Sequence, residues 1–199
     1  MRVFLGIALP EACRAAIREA VAPLRADPAP VSWVATENLH VTLKFIGEVS
    51  KDHLAGIGDA LAGVAGRFPA FSLEAEGGGA FPGTRNPRVL WVGFREPLEL
   101  VGELQENMEN ALSGAGFPRE DRPFHPHITV GRARGVLPPA WGDRFVRVLS
   151  GRRFGEVPVR SITLYESRLS PRGAVYAVLR SFPLPGAPRE RRENEERFP

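Results

Sequence analysis

The sequence has little cysteine, little lysine and no long apolar run, and each shortage excludes a class of protein. Cys13 is the single cysteine of the 199 residues, so the chain can form neither an internal disulfide nor a zinc site built from several cysteines. No apolar run approaches the ~20 residues that cross a bilayer. The first residues, MRVFLGIALPEACR, have too short an apolar run for a signal peptide. We therefore expect a cytoplasmic protein that has no membrane partner.

The shortage of lysine leaves arginine as the main cation. The chain is 43% hydrophobic and 25% charged, which is typical of a soluble globular protein. Lys44 and Lys51 are the only lysines, beside 24 arginines, and the formal net charge is +3. Arginine suits bidentate contact with phosphate and stacking on bases. This balance permits a nucleic-acid partner without demanding one, and a compositional bias of the source genome explains the arginines equally well.

A weak internal repeat divides the chain. A shift of 87 residues keeps many apolar positions in step and aligns four identical pairs: Gly6 with Gly93, Pro10 with Pro97, His40 with His127, and Thr42 with Thr129. One offset that holds for all of these positions predicts two related halves, at about 1–80 and 88–184. Together they are expected to form one bilobal catalytic domain over 1–184. The remaining stretch, 185–199, has four arginines and four glutamates and almost nothing to bury, which predicts a disordered tail.

The pattern within each half predicts an α+β fold in which helices cover antiparallel sheets. Each half begins with an apolar strand, followed by a proline that starts a helix, and continues to a strand that carries the histidine. A pseudo-twofold axis between the halves would leave a cleft between two lobes. The run 77–79 is expected to be a flexible connector. The expected helices are 11–24, 52–65, 98–112 and 139–149, and the further strands are 70–75, 157–169 and 174–182.

The duplicated His-x-Thr element is the strongest candidate for chemistry. Alternate side chains of a strand share a face, so His40 and Thr42 point one way and their apolar neighbours the other, and His127 and Thr129 repeat the arrangement. Two histidines without a further Cys, His or carboxylate make a poor zinc site. They suit acid–base catalysis, in which one neutral imidazole accepts a proton while a protonated one donates. The threonine hydroxyls can hydrogen-bond phosphate oxygens. The alternative is two strand histidines bonded to backbone groups.

Four neighbours are further candidates for binding the substrate. Arg132 lies five residues after His127 and would face away from it in an unbroken strand, but a bulge or the end of the strand could turn it towards the substrate. Lys44 is expected on the face of His40, as a phosphate neighbour or as part of a solvated strand edge. Phe81 suits stacking on a base or anchoring a loop. His125 suits orienting the substrate or the second motif histidine, or is an exposed histidine at a strand end.

The two motifs and their surroundings, HVTLKFIGEV, RVLWVGF, FHPHITVGRAR and ESRLSPRGAVYAVL, resemble those of the 2H phosphoesterase superfamily, in its RNA 2′,3′-cyclic phosphodiesterase (2′-5′ RNA ligase-like) branch. The resemblance runs from about Val3 to Leu184. It implies a bilobal α+β fold, no metal or other cofactor, and opening of a 2′,3′-cyclic phosphate to a 2′-phosphate. His40 would be the proton donor to the departing 3′ oxygen, and His127 the proton acceptor from water. Thr42 and Thr129 would hold the phosphate.

This resemblance implies that the partner is RNA with a 2′,3′-cyclic phosphate end, tRNA fragments among the candidates, and we expect a monomer. Two other functions stay open from the residues. The same chemistry can act on a small cyclic nucleotide or on a cyclic phosphate of ADP-ribose, or the cleft can bind RNA or a nucleotide without turnover. Formation of a 2′-5′ linkage reverses the cleavage, but no ATP-binding motif is present to drive it, so it is expected only as a minor activity.

Overall fold

The computed structural model describes residues 1–170 and 173–186. Over these residues the chain forms nine strands, four α-helices and a single 3₁₀ turn at Thr36–Asn38. The strands are β1 (Arg2–Ala8), β2 (Val31–Trp33), β3 (His40–Glu48), β4 (Phe71–Phe81), β5 (Val89–Phe94), β6 (Ile128–Ala133), β7 (Arg153–Val159), β8 (Ser161–Ser170) and β9 (Gly173–Pro183). The helices are α1 (Glu11–Arg25), α2 (His53–Ala65), α3 (Glu99–Gly114) and α4 (Trp141–Leu149). All four predicted helices are confirmed, with ends that differ by at most two residues.

The strands form one nine-stranded antiparallel sheet, and its two parts, called here the first and the second sheet, meet at one point. The first sheet has the order β3-β1-β8-β9 and the second the order β7-β4-β5-β6, with the short β2 added beside β6. Within the described residues, β3 and β6 share a single ladder pair, Val41 opposite Ile128. This pair is the junction of the two sheets. Two lobes related by pseudo-symmetry follow from this order, and the predicted α+β class is confirmed.

The helices cover one face of the sheets and leave the other for polar groups. Helices α1 and α4 pack together against β7 and β4, while α2 and α3 pack together against β9, β8 and β3. Apolar side chains from helices and strands form one buried cluster, in which Val41, Leu43, Ile128 and Val130 come from the two histidine-bearing strands. Burial of these alternate residues fixes the register of both strands, because a slip of one residue would move them into water.

The two sheets are not built from contiguous halves of the chain. Strand β4 belongs to the second sheet, where it pairs with β5 and β7, and the hairpin β8–β9 returns to the first sheet beside β1. The prediction of a single strand over 157–169 is wrong, because the structure has two strands there. The chain leaves one sheet at Val159 and enters the other at Ser161, and buried side chains on either side, Val157 and Ile162, belong to different lobes.

The 87-residue offset also fails in one detail of strand pairing. Thr42 lies opposite Gly6 in the first sheet, whereas Thr129 lies opposite Trp91 in the second, rather than opposite Gly93. The register therefore differs by two residues between the lobes. The offset aligns the two motifs, but the neighbouring strands, β1 and β5, pair with the motif strands in registers that differ by two residues.

The glycine run 77–79 lies inside β4, and the prediction of a flexible connector is wrong. A side chain at Gly79 would overlap the Trp91 ring, so this glycine leaves the space in which the indole lies over the strand. Gly77 has a φ of 67°, where the ladder with β5 shifts its register. The run is thus a strand shaped to receive an aromatic side chain.

The predicted C-terminal hairpin is confirmed, since Ser170 pairs with Gly173, although its turn residues lie outside the described range. The expected disordered tail lies outside it too from residue 187 onward. In the described part of the chain, no helix is long and apolar enough to cross a membrane.

Candidate active site

Strands β3 and β6 bring the two His-x-Thr motifs together at the junction of the sheets. Val41 and Ile128 lie opposite each other there, and both are fully buried. Continuing this antiparallel register by one residue in each direction sets the histidine of each motif opposite the threonine of the other. Because side chains alternate along a strand, these four polar residues share the face that the helices leave uncovered. The arrangement is a small polar surface with approximate twofold symmetry.

A bulge in β6 adds Arg132 to this surface. The ladder between β5 and β6 skips Val130, and both Val130 and Gly131 are buried. The extra residue reverses the alternation, so Arg132 is exposed on the face of Thr129. After burial, the positive charge of Arg132 is among the causes that lower the pKa of both motif histidines. A bulge was one of the two features expected to turn Arg132 towards the substrate, and β6 has one at this place.

A matching bulge in β3 turns Lys44 away from the site, whereas the β6 bulge turns Arg132 onto it. The ladder between β1 and β3 skips Leu43, and Lys44 points into the core instead of standing beside His40. Its Nζ donates to both carboxylate oxygens of Glu109, at 2.9 and 2.8 Å, and to the carbonyl oxygen of Pro118 at 2.8 Å. The prediction that Lys44 shares the face of His40 is therefore wrong. All three ammonium protons are used in a buried ion pair, and none is left for a substrate.

The residue that the β3 bulge exposes is Phe45. It occupies the position 87 residues before Arg132, and its side chain is 56% exposed. The ring lies 5.9 Å from that of Phe4, which in turn lies 4.9 Å from the ring of His40. Sequence reasoning missed Phe45, although its alignment with Arg132 at the common offset was a usable signal.

His40 is held in one tautomer by the backbone. Its Nδ1 lies 2.7 Å from the carbonyl oxygen of Asn38, and a carbonyl only accepts, so Nδ1 carries a proton. Its Nε2 lies 3.0 Å from the hydroxyl of Thr42. The Asn38 side chain donates to the carbonyl of Ala174 at 2.6 Å, which ties this turn to β9. Burial lowers the pKa of His40 below its ordinary 6.5, and the charges of His127 and Arg132 lower it further.

His127 repeats the anchor of His40. Its Nδ1 lies 2.7 Å from the carbonyl oxygen of His125, so it also carries a proton and leaves Nε2 for chemistry. Burial lowers the pKa of His127 as well, and the nearby charges of Arg132 and His125 lower it further. His125 thus orients the second histidine through its backbone, while its own side chain is exposed.

Aromatic rings surround the imidazole of His40. The ring of Phe4 stacks on Tyr165 at 5.0 Å, and the edge of Tyr176 meets His40 at 5.2 Å. Burial raises the pKa of Tyr176, and the positive charge of Arg132 opposes this rise. Neither tyrosine was identified from the sequence, because Tyr165 on β8 and Tyr176 on β9 reach the site only when the C-terminal hairpin pairs with β1.

A second group of rings borders His127. Phe81 meets the imidazole edge-on, with 5.2 Å between ring centres, and contacts Trp91 at 5.1 Å. Trp91 lies 6.4 Å from His127, and its buried Nε1 has no hydrogen-bond partner among the described residues. The sequence indicated packing for Trp91 and either stacking or anchoring for Phe81. The structure puts both rings beside His127.

The site offers few groups that would hold a metal. Among the described residues, no three or more His, Cys, Asp and Glu side chains are grouped to bind one ion. The charged groups that shift the two imidazole pKa values are cations, namely Arg132 and other histidines. A surface lined by such cationic groups suits an anionic ligand better than a metal cation.

Comparison with known proteins connects this geometry with a family. The model of the LigT-like phosphoesterases matches the chain twice, over residues 7–91 and 93–176, so each match contains one histidine motif. An RNA 2′,3′-cyclic phosphodiesterase of Archaeoglobus fulgidus is 39% identical over 185 residues, which cover 92% of this chain and 99% of that protein. A protein of the same name from Thermotoga maritima is 34% identical over 90% of this chain and 93% of its own.

Solved structures agree with the sequence comparison. A crystal structure from Thermus thermophilus superposes with a TM-score of 0.77 at 31% identity, covering 92% of this chain and 98% of that one. Escherichia coli LigT, crystallised with 3′-AMP, superposes with a TM-score of 0.73 at 29% identity, covering 92% and 97% of the two chains. With two motif-bearing matches over most of its length and relatives of this identity, the chain belongs to the LigT-like phosphoesterases of the 2H superfamily.

Proposed function

We propose that this phosphoesterase hydrolyses 2′,3′-cyclic phosphate ends of RNA to 2′-phosphates by acid–base catalysis between two histidines, without a metal. His127 Nε2 accepts a proton from water as the water oxygen bonds to phosphorus. The bond from phosphorus to the 3′ oxygen breaks, and His40 Nε2 gives that oxygen its proton. The reaction leaves His40 neutral and His127 protonated, and exchange with solvent restores the starting state.

The observation that carries this proposal is the matched pair of backbone anchors. Each Nδ1–H donates at 2.7 Å to the carbonyl two residues earlier, so each Nε2 is the atom available for proton transfer. A fixed tautomer and ring orientation are what a general acid or base requires. Two imidazoles held in the same way on facing strands provide one general acid and one general base for the substrate.

The pKa shifts suit the two roles. Lowering the pKa of His40 makes its imidazolium a stronger acid towards the ribose oxygen, although less of it is protonated in the free enzyme. The nearby Arg132 helps to keep His127 neutral, which a general base must be. A bound phosphate anion would raise the pKa of both imidazoles and so favour the protonated donor once substrate is present.

Thr42, Thr129 and Arg132 provide the groups for holding the phosphate. The two hydroxyls lie on the histidine face at the junction, and Arg132 extends that face by one strand position. A guanidinium and hydroxyls are suited to the non-bridging oxygens, whose charge grows during attack. The names of the relatives give the substrate class: the Archaeoglobus and Thermotoga proteins are RNA 2′,3′-cyclic phosphodiesterases, and E. coli LigT was crystallised with a nucleotide.

Three further statements belong to the proposal. Residues 1–184 act as one catalytic domain, since both sheets contribute a histidine to the same surface. The enzyme works as a monomer, because both motifs come from a single chain. It works in the cytoplasm, where a reducing environment suits its one buried, free thiol, Cys13.

The test is hydrolysis of a short RNA with a 2′,3′-cyclic phosphate end, in excess EDTA, with the product identified by ³¹P NMR. We expect a 2′-phosphate at an undiminished rate. Variant His53→Ala is the matched control for His40→Ala and His127→Ala. His53 is exposed at the start of α2, and its side chain hydrogen-bonds Ser50 instead of contacting the site. Loss of activity in EDTA would replace the acid–base pair by a metal site. Turnover of small cyclic nucleotides alone, or binding without turnover, would reject RNA hydrolysis.

A further inference from the structure

Asn38 connects the C-terminal hairpin, β8–β9, with the first motif histidine. We infer that Asn38 is a positioning residue for His40, an inference that rests on the proposed function and extends it. Its side chain fastens the hairpin to the turn before β3, and this contact holds the His40 imidazole in the tautomer and place that proton donation requires. The amide of Asn38 does not transfer a proton itself, so it acts on the reaction through His40.

The first observation is that Asn38 makes two hydrogen bonds with different partners. Its backbone carbonyl accepts the proton on Nδ1 of His40 at 2.7 Å, and its side-chain amide donates to the carbonyl oxygen of Ala174 at 2.6 Å. Both bonds belong to the last residue of the 3₁₀ turn Thr36–Asn38. A shift of this turn away from β9 therefore also moves the carbonyl that fixes the tautomer of His40.

The second observation is where the two ends of this contact lie in the first sheet. Asn38 directly precedes β3 at one edge of that sheet, and Ala174 is on β9 at the other edge, with β1 and β8 between them. In a flat sheet, strands three places apart are separated by about 14 Å. A hydrogen bond between the two edges therefore shows that the first sheet curls until its edges approach each other.

The rings around His40 show the same curl. Every strand of the first sheet contributes one ring to this cluster, namely Phe4, His40, Tyr165 and Tyr176. The rings of His40 and Tyr176 lie 5.2 Å apart, although they belong to opposite edges of the sheet. Tyr176 comes two residues after Ala174 and so shares its face of β9. The bond from Asn38 to Ala174 thus holds the strand that packs Tyr176 against the imidazole.

The third observation is the difference from the second lobe. At the 87-residue offset Asn38 aligns with His125, whose carbonyl anchors His127 in the same way. The side chain of Asn38 is half-buried and bonded to β9, whereas the side chain of His125 is exposed. The two backbone anchors are alike, but the side chain that fastens its anchor to a neighbouring strand belongs to the histidine proposed as the donor.

The experiment measures the tautomer and the pKa of His40 by ¹⁵N NMR of the histidine rings, and kcat and KM on RNA with a 2′,3′-cyclic phosphate end. Variant His40→Gln identifies the signals of His40 among the four histidines. Asn38→Leu removes the amide at nearly constant size, and Asn38→Ala removes it without added apolar bulk. The matched control is Asn107→Leu, which removes an amide bond of the same kind, 2.7 Å long, to the carbonyl of Glu103 within α3.

We expect both Asn38 variants to show a mixture of His40 tautomers, and kcat to fall about 3- to 10-fold with little change in KM. Burial lowers the pKa of His40 and the bond with the Asn38 carbonyl opposes this, so a weaker bond should lower the pKa further. The titratable and charged groups near His40 are unchanged in these variants: Tyr165, Tyr176, His127 and Arg132. Asn107→Leu should match wild type in tautomer, pKa and kcat.

Two results would overturn the positioning role. A wild-type tautomer and pKa of His40 in the Asn38 variants would show that the carbonyl anchor does not need the side chain. A fall in kcat of the same size in Asn107→Leu would show a general effect of a lost hydrogen bond. Failure of wild type to hydrolyse the RNA would reject the proposed function instead, and the NMR comparison would still decide whether Asn38 positions His40.

Discussion

The two histidine-bearing strands are alike where the chemistry is proposed and different where the substrate is held. In both lobes a backbone carbonyl fixes Nδ1–H of the histidine at 2.7 Å, and a bulge follows the motif threonine. After the bulge, β3 has a buried Lys44 and an exposed Phe45, where β6 has Gly131 and an exposed Arg132. The two lobes thus share a histidine with the same backbone anchor and differ in the residue that the bulge exposes.

The surroundings of the two imidazoles differ in the same sense. Tyr165 and Tyr176 lie near His40, and Phe81 and Trp91 near His127. Burial and the charges of His127 and Arg132 lower the pKa of His40, while burial and the charges of Arg132 and His125 lower the pKa of His127. The two imidazoles have the same tautomer but different surroundings, and different surroundings give two residues of one type the separate roles of acid and base.

The largest expected effect comes from removing either imidazole. Variants His40→Ala and His127→Ala should each lose about 10²- to 10⁴-fold in kcat, because each proton transfer loses its group. The double variant should be little worse than either single one, since the two residues act as a unit. Single-turnover rates on the cyclic-phosphate RNA measure this. A variant that keeps near wild-type kcat would remove its histidine from the mechanism.

The buried ion pair of the first lobe should dominate stability. Variant Lys44→Met leaves the Glu109 carboxylate buried without its partner and should cost about 3–5 kcal/mol of unfolding free energy. The double variant with Glu109→Met should recover most of this loss. Urea unfolding followed by circular dichroism measures both.

The control for the buried pair of Lys44 and Glu109 is an ion pair on the surface. Arg119→Ala breaks an ion pair with Glu106 on the surface and should cost less than about 1 kcal/mol. A Lys44→Met variant no less stable than Arg119→Ala would mean that the lysine does not hold the β3 bulge.

Loss of the cation of the second lobe should give a smaller change with a distinct signature. Arg132→Ala should raise KM by about tenfold, since one charge-assisted contact with phosphate is lost. Arg132 lowers the pKa of both histidines, so its removal should raise both and move the maximum of kcat/KM to higher pH. Arg132→Lys, which keeps the charge, should leave the maximum near that of wild type. A raised KM with an unmoved maximum in Arg132→Ala would place the guanidinium away from the imidazoles.

Much of the fold could be predicted from the sequence because its signals are local. The apolar pattern, with prolines before α1, α3 and α4, located all four helices and both motif strands. The exchange of strands between the sheets was not predictable, since the pairing of β8 with β1 joins residues that are far apart in sequence.

The candidate site divides in the same way. Its four central residues are marked by spacing within a strand, and in the structure they lie beside the pair of Val41 and Ile128. The inward turn of Lys44 depends on a bulge against β1 and on Glu109, 65 residues away, and no pattern around Lys44 indicates either. Phe45, Tyr165 and Tyr176 were missed because only the assembled sheet gives them a common face.

The most direct test of the account is the pH dependence of kcat/KM for the cyclic-phosphate RNA in EDTA. Activity requires one neutral and one protonated imidazole, so the profile should be bell-shaped, with two macroscopic pKa values that belong to the pair. Both pKa values are lowered in the free enzyme, so the maximum should lie on the acidic side of 6.5, the ordinary histidine value. The rate should fall above it as the donor deprotonates, and below it as the acceptor protonates. A flat profile between about pH 5 and 8 would contradict catalysis by two histidines.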